Sequence, residues 1–340
     1  MMAGDKAPLR GTSTIHDVAR AAGVSISTVS KALNGTGSLS EQTRKRVLEA
    51  VRALSFRPNL LARSLHTGLS GSVGLISNDS FGRFTMPIME GLEGVLSQSG
   101  IGVFMVNATD DAERERAHLD QLLSKQIDGL IVTARRADRR PSVDLSGIGL
   151  PVIYVFSQGD APGALTLLPD DKHGARMATD HLVQRGRRRI AHITGPRDFE
   201  AVRLRAEGWQ EGLAAAGLKP YPVLHGNWTE AWGRTATAQL MSGPRPDAPD
   251  AIVCGNDLIA RGCADALREA GIACPTDVAL TGFDNWTVMA EASRPALTSV
   301  DMNLVQLGAE AGRKMTQMIK GADASGTLRL PCTLVVRDSS

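Results

Sequence analysis

The chain has 340 residues, 42% of them hydrophobic and 22% charged, the balance of a globular protein of about two or three domains. No apolar run reaches the roughly 18–20 residues that span a bilayer, and the opening MMAGDKAPLRGTS lacks the apolar centre of a secretory signal, so a cytoplasmic protein is expected. The net charge of +2 is unevenly placed: through Gly68, ten Lys and Arg face four Asp and Glu (+6), whereas the remainder carries 28 against 32 (−4). A basic head on a mildly acidic body points to a head that meets phosphate. Cys254, Cys263, Cys274 and Cys332 form no CxxC pair and show no metal-ligand spacing. They read as reduced, mostly buried residues, and no metal or cofactor is expected.

After a patternless lead over 1–13, TIHDVARAAGVSISTVSKALN predicts two short helices across a tight turn. Thr14 is suited to cap the first, with Asp17 reaching back, and Ile15, Val18, Ala19 and Ala22 give it one apolar face. Gly23 suits a turn needing positive φ. Ser25 then caps a helix running to about Leu33, with Val24, Val29, Ala32 and Leu33 inward and Ile26, Ser27, Ser30 and Lys31 outward. A helical hairpin of that polarity is a helix-turn-helix, its second helix sized for a DNA major groove. Ser40 caps a third helix striped by Val47, Leu48, Val51 and Leu54, with Arg44, Lys45, Arg46 and Arg52 around it. The segment FRPNLLARSLHTGLSG allows about two helical turns, too short to be stable alone in water. It is either a linker packing its leucines on a neighbour or a helix that folds only on DNA.

From Ser72 onward apolar strands alternate with amphipathic helices: SVGLIS, IGVFMVNA, DGLIVT, PVIYVF, ALTLL, RIAHITG, YPVLHG, AIVCGN, VALTGF, LTSVDM and the closing LRLPCTLVVRD, with helices between, among them 229–242 and 258–271. Such alternation predicts parallel sheets covered by helices, and its length predicts two lobes with ligand at the carboxyl ends of the strands. No G-x-G-x-x-G leads from a strand into a helix and no GxxxxGK[ST] occurs, so an enzyme is not expected.

Taken together, TIHDVARAAGVSISTVSKALNG, LSEQTRKRVLEAVRALSFRPNLLARSL, DDKHGARMATDHLVQRGRRRIAHITGP, RLRAEGWQEGL, AIVCGNDLIARG, VALTGFDN and LTSVDMNLVQLG resemble the lactose-repressor (LacI/GalR) family, collinearly over 14–340. The resemblance implies a homodimeric transcription regulator, most simply a repressor. Its parts would be an α-helical helix-turn-helix head (14–58), a hinge helix and linker (59–71) and an α/β two-lobed core like a type I periplasmic binding protein (72–340). The chain would cross between lobes three times, giving an N-terminal lobe of 72–168 plus 300–327 and a C-terminal lobe of 169–297 plus 328–340. The partners implied are double-stranded DNA with a near-palindromic operator, a second subunit, and a small effector, carbohydrate in class by its pocket residues; the absence of a leucine-heptad tail after the last strand favours a dimer. The alternative is a cytoplasmic or exported sugar-binding protein with no DNA role, against which the basic helical head argues.

On DNA, Ile26, Ser27 and Lys31 match the family's base-reading positions, and His16 another groove contact. Thr14, Ser25, Thr28, Ser30 and Asn34 suit phosphate oxygens, with Arg44 and Arg57 adding charge. Leu65 matches the intercalating hinge leucine, and Asn59 and Ala62 share its DNA- or partner-facing side. In the cleft, Arg205 and Asp284 match the effector-binding arginine and aspartate, and Asn256 and Trp228 further pocket positions. Asp170 or Asp171, Asn78, Phe81, Phe84 and Phe156 are candidate liners. Phe156 stands where the lactose repressor has an aspartate, and NDSFGRFTMP departs from the commoner asparagine–proline–aromatic turn. Effector binding is expected to reorient the lobes, part the hinges and release the heads, or in the co-repressor case to tighten them.

Overall fold

The computed structural model describes residues 13–34, 36–56, 68–80, 82–109, 111–138, 144–145, 147–159, 161–243 and 248–340. It divides into two compact units, Met1–Ser70 and Gly71–Ser340. Arg57 of the expected head, the expected hinge residues Asn59, Ala62 and Leu65, and Phe81 lie outside the described residues.

The first unit holds α1 (Ile15–Ala22), α2 (Ile26–Asn34) and α3 (Glu41–Ala53). A capping box starts α1: the Asp17 N–H donates to Thr14 Oγ1 at 3.4 Å and the Thr14 N–H to Asp17 Oδ2 at 2.9 Å. Gly23 ends the helix at φ 62°. Nothing lies within 4 Å of a Cβ built there, so the backbone conformation rather than space calls for glycine. Ser25 Oγ accepts the Thr28 N–H at 3.2 Å and Ser40 Oγ the Thr43 N–H at 3.2 Å, so both expected caps form. Val18, Ala19, Ala22, Val29, Ala32, Val47 and Ala50 make the core. Small side chains let the three helices approach closely but bury little apolar area, so this core is marginal. Ser13, placed at the end of the patternless lead, is tied in by its hydroxyl donating to the Leu54 carbonyl at 2.8 Å.

The second unit alternates strand and helix as β1 (Ser72–Ser77), α4 (Thr85–Leu96), β2 (Gly102–Asn107), α5 (Ala112–Ser124), β3 (Gly129–Thr133), β4 (Val152–Val155), β5 (Leu165–Pro169), α6 (Asp171–Gln184), β6 (Ile190–Thr194), α7 (Glu200–Ala215), β7 (Leu224–His225), α8 (Glu230–Met241), β8 (Ala251–Cys254), α9 (Asp257–Glu269), β9 (Ala279–Phe283), α10 (Thr287–Ala290), β10 (Thr298–Asp301), α11 (Leu304–Ile319), β11 (Gly326–Leu330) and β12 (Thr333–Val335). Two six-stranded sheets result, in the orders β11-β5-β4-β3-β1-β2 and β12-β10-β9-β8-β6-β7. All strand pairs are parallel except β10 with β12. Central strands such as β1 are buried throughout because helices cover both faces, whereas β2 at the sheet edge is largely exposed.

The chain passes between the sheets three times: after β5, between β10 and β11, and between β11 and β12. The last two passages come later than the boundaries read from the sequence, between 297 and 300 and between 327 and 328. Thr298–Asp301 pairs with β9 in the second sheet, and Gly326–Leu330 pairs with β5 in the first. Between them α11 crosses back to pack on α4 of the first lobe. There Gly91 and Gly308 bring the helix backbones together, and a Cβ on Gly91 would sit 1.8 Å from the Val305 carbonyl oxygen. All four cysteines are free, three of them buried.

Candidate functional site

The head presents one face of α2. Ile26 is 41% exposed, and Ser27 and Lys31 are exposed beside it. His16 is exposed in the first turn of α1. Several residues read as phosphate contacts already have partners within the head. Thr14 Oγ1 donates to Asp17 Oδ2 at 2.7 Å, and Ser25 Oγ lies 2.8 Å from both Ser27 Oγ and Thr28 Oγ1. Those Thr14 bonds, backbone first, hold the Asp17 carboxyl below its ordinary value. Arg44 is half-buried and its Nη1 donates to the Ala32 carbonyl at 3.4 Å, tying α3 to the last turn of α2. Its first task is therefore structural, with four guanidinium N–H groups left over. Asn34 closes α2.

In the core, the expected effector residues come from the carboxyl ends of parallel strands and the helices they lead into, the position where open α/β sheets take ligands. Arg205 on α7 is 4% exposed. Its Nε and Nη2 both lie 2.7 Å from Asp171 Oδ1, its Nη1 donates to the Gly255 carbonyl at 2.5 Å and stands 3.6 Å from Asp284 Oδ1. Its guanidinium carbon is 3.6 Å from the centre of the Phe283 ring and 5.9 Å from that of Trp228. Asp284 follows β9 with φ 98°, and Asn285 with φ 47°. This strained turn is fixed by the Asp284 N–H on the Val300 carbonyl (2.8 Å), the Asn285 N–H on Ser299 Oγ (3.0 Å) and the Asn285 side chain between Asp301 and Arg337. Arg205 and Asp284, separated by 79 positions in the chain, thus meet at one buried spot.

The other candidates divide. Asn256 is buried and its Oδ1 caps α9 through the Ile259 N–H at 2.9 Å. Asp171 is the ion-pair partner of Arg205, while Asp170 caps α6 through the His173 N–H at 3.1 Å. Trp228 lies edge-on to Phe199 at 5.9 Å. Phe84 and Phe156 stack with centroids 4.8 Å apart, Phe156 at φ 52°. Asn78 Oδ1 accepts the Arg135 N–H at 3.0 Å, bracing the ends of β1 and β3.

Three participants went unread in the sequence. Arg83 reaches from the first lobe to Asp284 and lies between the rings of Phe84 and Trp286. Asp257, at the start of α9, accepts from Ser299 Oγ at 2.5 Å and from the Trp286 N–H at 2.7 Å. Glu200, at the start of α7, draws first-lobe groups to it: its N–H donates to Asp138 Oδ1 at 2.6 Å, and Gln158 and Arg329 donate to its carboxylate at 3.2 Å each. The aromatic residues flanking Arg83 in FGRF were the only local signal. Asp257 and Glu200 carried none, since an acidic residue in the first helical turn is ordinary.

Burial raises the Asp171 carboxyl, opposed by Arg205; it also raises Asp284, opposed by Arg83 and Arg205. Asp257 is pushed up to about 7 by burial and by the charge of Asp284. Burial lowers Arg205, but Asp171 and Asp284 outweigh it and its net shift is upward. The site is a buried set of opposed charges whose carboxylate oxygens and guanidinium N–H groups can recognise hydroxyls. Among the described residues no cluster of His, Cys, Asp and Glu suits a metal ion, and no helix is long and apolar enough to cross a membrane.

A family model described as bacterial regulatory proteins, lacI family, matches residues 14–59, and one described as periplasmic binding protein-like domain matches 179–340. The chain is 31% identical to the HTH-type transcriptional repressor PurR of Aliivibrio fischeri (strain MJ11), over 92% of this chain and 93% of that protein. A solved complex of the transcriptional regulator CelR with cellobiose is 29% identical, covering 96% of this chain and all of that one, with a TM-score of 0.65. A lac repressor dimer bound to operator and the anti-inducer ONPF is 25% identical over 96% of this chain and 99% of that one, with a TM-score of 0.71. These relatives are regulators rather than enzymes.

Proposed function

The chain belongs to the lacI family of bacterial regulatory proteins, and from that premise we propose that it is a cytoplasmic, homodimeric repressor whose operator affinity is set by a polyhydroxylated effector in the interlobe cleft. The observation that carries the effector class is the meeting of Arg205 and Asp284 at the strand ends of the second lobe. A guanidinium and a carboxylate side by side offer donors and acceptors to neighbouring hydroxyls, and Trp228, Phe84 and Phe156 supply apolar faces for a sugar ring. The CelR complex with cellobiose is a relative in which a sugar is bound.

For DNA, α2 lies in the major groove with Ile26, Ser27 and Lys31 toward base edges, Lys31 reaching guanine O6 or N7 and Ile26 a thymine methyl. Two heads on a symmetric dimer read a near-palindrome, as the operator-bound lac repressor dimer suggests. Leu65, with Asn59 and Ala62 beside it, wedges into the minor groove at the centre of the site, where a pyrimidine–purine step unstacks most easily. The effector acts by shifting the population of lobe arrangements that keep the two heads at the operator spacing.

Selection of the purified protein against random duplex DNA at near-physiological salt tests this, with and without a pool of neutral sugars. Enrichment of a near-palindrome with a pyrimidine–purine centre, altered by the pool, is the expected result. If no sequence is enriched under either condition, the operator reading is wrong.

A further inference from the structure

Arg83 stands out because it sits inside the cleft, comes from the opposite lobe to the carboxylate it meets, and is not fully satisfied there. The turn that carries it is firmly built. Asp79 Oδ2 accepts the N–H groups of Phe84 (2.8 Å) and Thr85 (3.0 Å), the Asp79 N–H donates to Ser77 Oγ at 3.0 Å, and Ser77 Oγ meets Thr85 Oγ1 at 2.8 Å. From this turn after β1, the Arg83 side chain, 16% exposed, crosses to the second lobe and pairs with Asp284, whose side chain is 5% exposed. Its guanidinium carbon lies 4.9 Å from the Phe84 ring centre and 4.4 Å from that of Trp286. The Nε is buried and has no hydrogen-bond partner.

A guanidinium held in this way lies over two aromatic rings and donates to a carboxylate. A sugar ring makes the same pair of contacts, offering C–H faces to aromatic rings and hydroxyl donors to the carboxylate. We propose that Arg83 is an internal stand-in for the effector, occupying the aromatic slot and the Asp284 oxygen until a ligand displaces it. This rests on the polyhydroxylated-effector reading of the same cleft. The unpartnered Nε explains how the bridge yields: on leaving the slot it regains hydrogen bonds to water, which offsets part of the cost of breaking the pair. Arg83 therefore reduces the fraction of molecules ready to receive ligand, and weakens apparent affinity by that fraction.

The test compares full-length wild type with Arg83→Ala. Each is titrated calorimetrically with cellobiose, D-glucose, D-galactose and D-ribose. Separately, acrylamide quenching of Trp286 is measured without ligand, with Trp286→Phe in each background to subtract Trp209, Trp228 and Trp232. Any sugar that binds should bind Arg83→Ala about tenfold more tightly, and Trp286 should become more quenchable. Arg83→Lys, which keeps charge but not the flat fork, should fall between the two and guards against misfolding of the alanine variant. Equal or weaker sugar affinity in Arg83→Ala makes Arg83 an effector contact and overturns the proposal, as does unchanged quenching. If no sugar binds either protein while Trp286 becomes more quenchable, the stand-in geometry is upheld and the polyhydroxylated-effector reading is what fails.

Discussion

Replacing Arg205 by methionine keeps most of the side-chain volume but leaves Asp171 buried without its cation. In the parent, two nitrogens of Arg205 lie 2.7 Å from one Asp171 oxygen, and a third donates to the Gly255 carbonyl at 2.5 Å. Removing one partner of a buried pair typically costs about 3–5 kcal/mol, because the remaining charge stays out of water. For a unit of this size about 2 °C is lost per kcal/mol, so the core should melt roughly 6–10 °C lower at pH 8. The pH dependence gives the sharper test. Burial already raises the Asp171 carboxyl above its unfolded value, so the folded state binds that proton more tightly and loses stability as pH rises through the raised value. Arg205 opposes that shift; without it the carboxyl rises further. Arg205→Met should therefore be closer to wild type at pH 5 than at pH 8, because the uncompensated Asp171 takes up a proton more readily as pH falls. Adding Asp171→Asn should restore most of the loss at pH 8. Thermal unfolding followed by circular dichroism at both pH values reads all three variants. A loss equal at pH 5 and pH 8, or one that Asp171→Asn leaves uncorrected, would refute the buried-pair account.

Asp257, at about 7, should make the core less stable as pH rises from about 4 toward 7, because the folded state holds the proton more tightly than the unfolded chain. Asp257→Asn, which can still bond Ser299 and the Trp286 N–H, should flatten that slope in the same melts; an unchanged slope would assign it to another group. Gly91→Ala would press a methyl to 1.8 Å from the Val305 carbonyl oxygen, so the α4–α11 crossing must open, at a cost of about 3 kcal/mol or more. A denaturation midpoint near wild type would contradict that close approach. Lys31→Ala should relax preference at one base pair per half-site, a loss of about 1–3 kcal/mol in discrimination measured by competition with single-base operator variants. Uniform weakening across all variants would make Lys31 a phosphate contact instead.

The helical head was legible because its information is local. The Thr14–Asp17 box, Gly23 and the Ser25 and Ser40 caps each act within a few residues, and each forms as read. The parallel sheets were legible because strands buried on both faces are written as short apolar runs. The late lobe passages were misplaced because nothing within LTSVDM marks which sheet it joins; that is decided by its pairing with β9. The cleft was half-legible. Arg205 and Asp284 were singled out through the family resemblance, but Arg83 and Asp257 act through partners 201 and 42 positions away. Arg44 was read for its charge alone, and its bond to the Ala32 carbonyl depends on how α3 meets α2.

Those unread residues decide the electrostatics of the cleft. Arg83 and Arg205 bring two positive charges, and Asp171 and Asp284 two negative ones. Asp257 is the fifth charge-bearing group, and below about pH 7 it carries its proton. The buried set is then neutral, and a neutral ligand enters without upsetting it. An anionic ligand would instead compete with Asp171 and Asp284 for guanidiniums already engaged, and would add an unpaired charge to a water-poor site, a costly burial. A ligand that displaces Arg83 returns one positive charge to water and leaves Asp284 beside Arg205 alone, which favours ligand hydroxyls that donate to Asp284. The charge count and the stand-in geometry of Arg83 thus converge on an uncharged, hydroxyl-rich effector, and together they predict that a sugar will outcompete its own phosphate or carboxylate derivative.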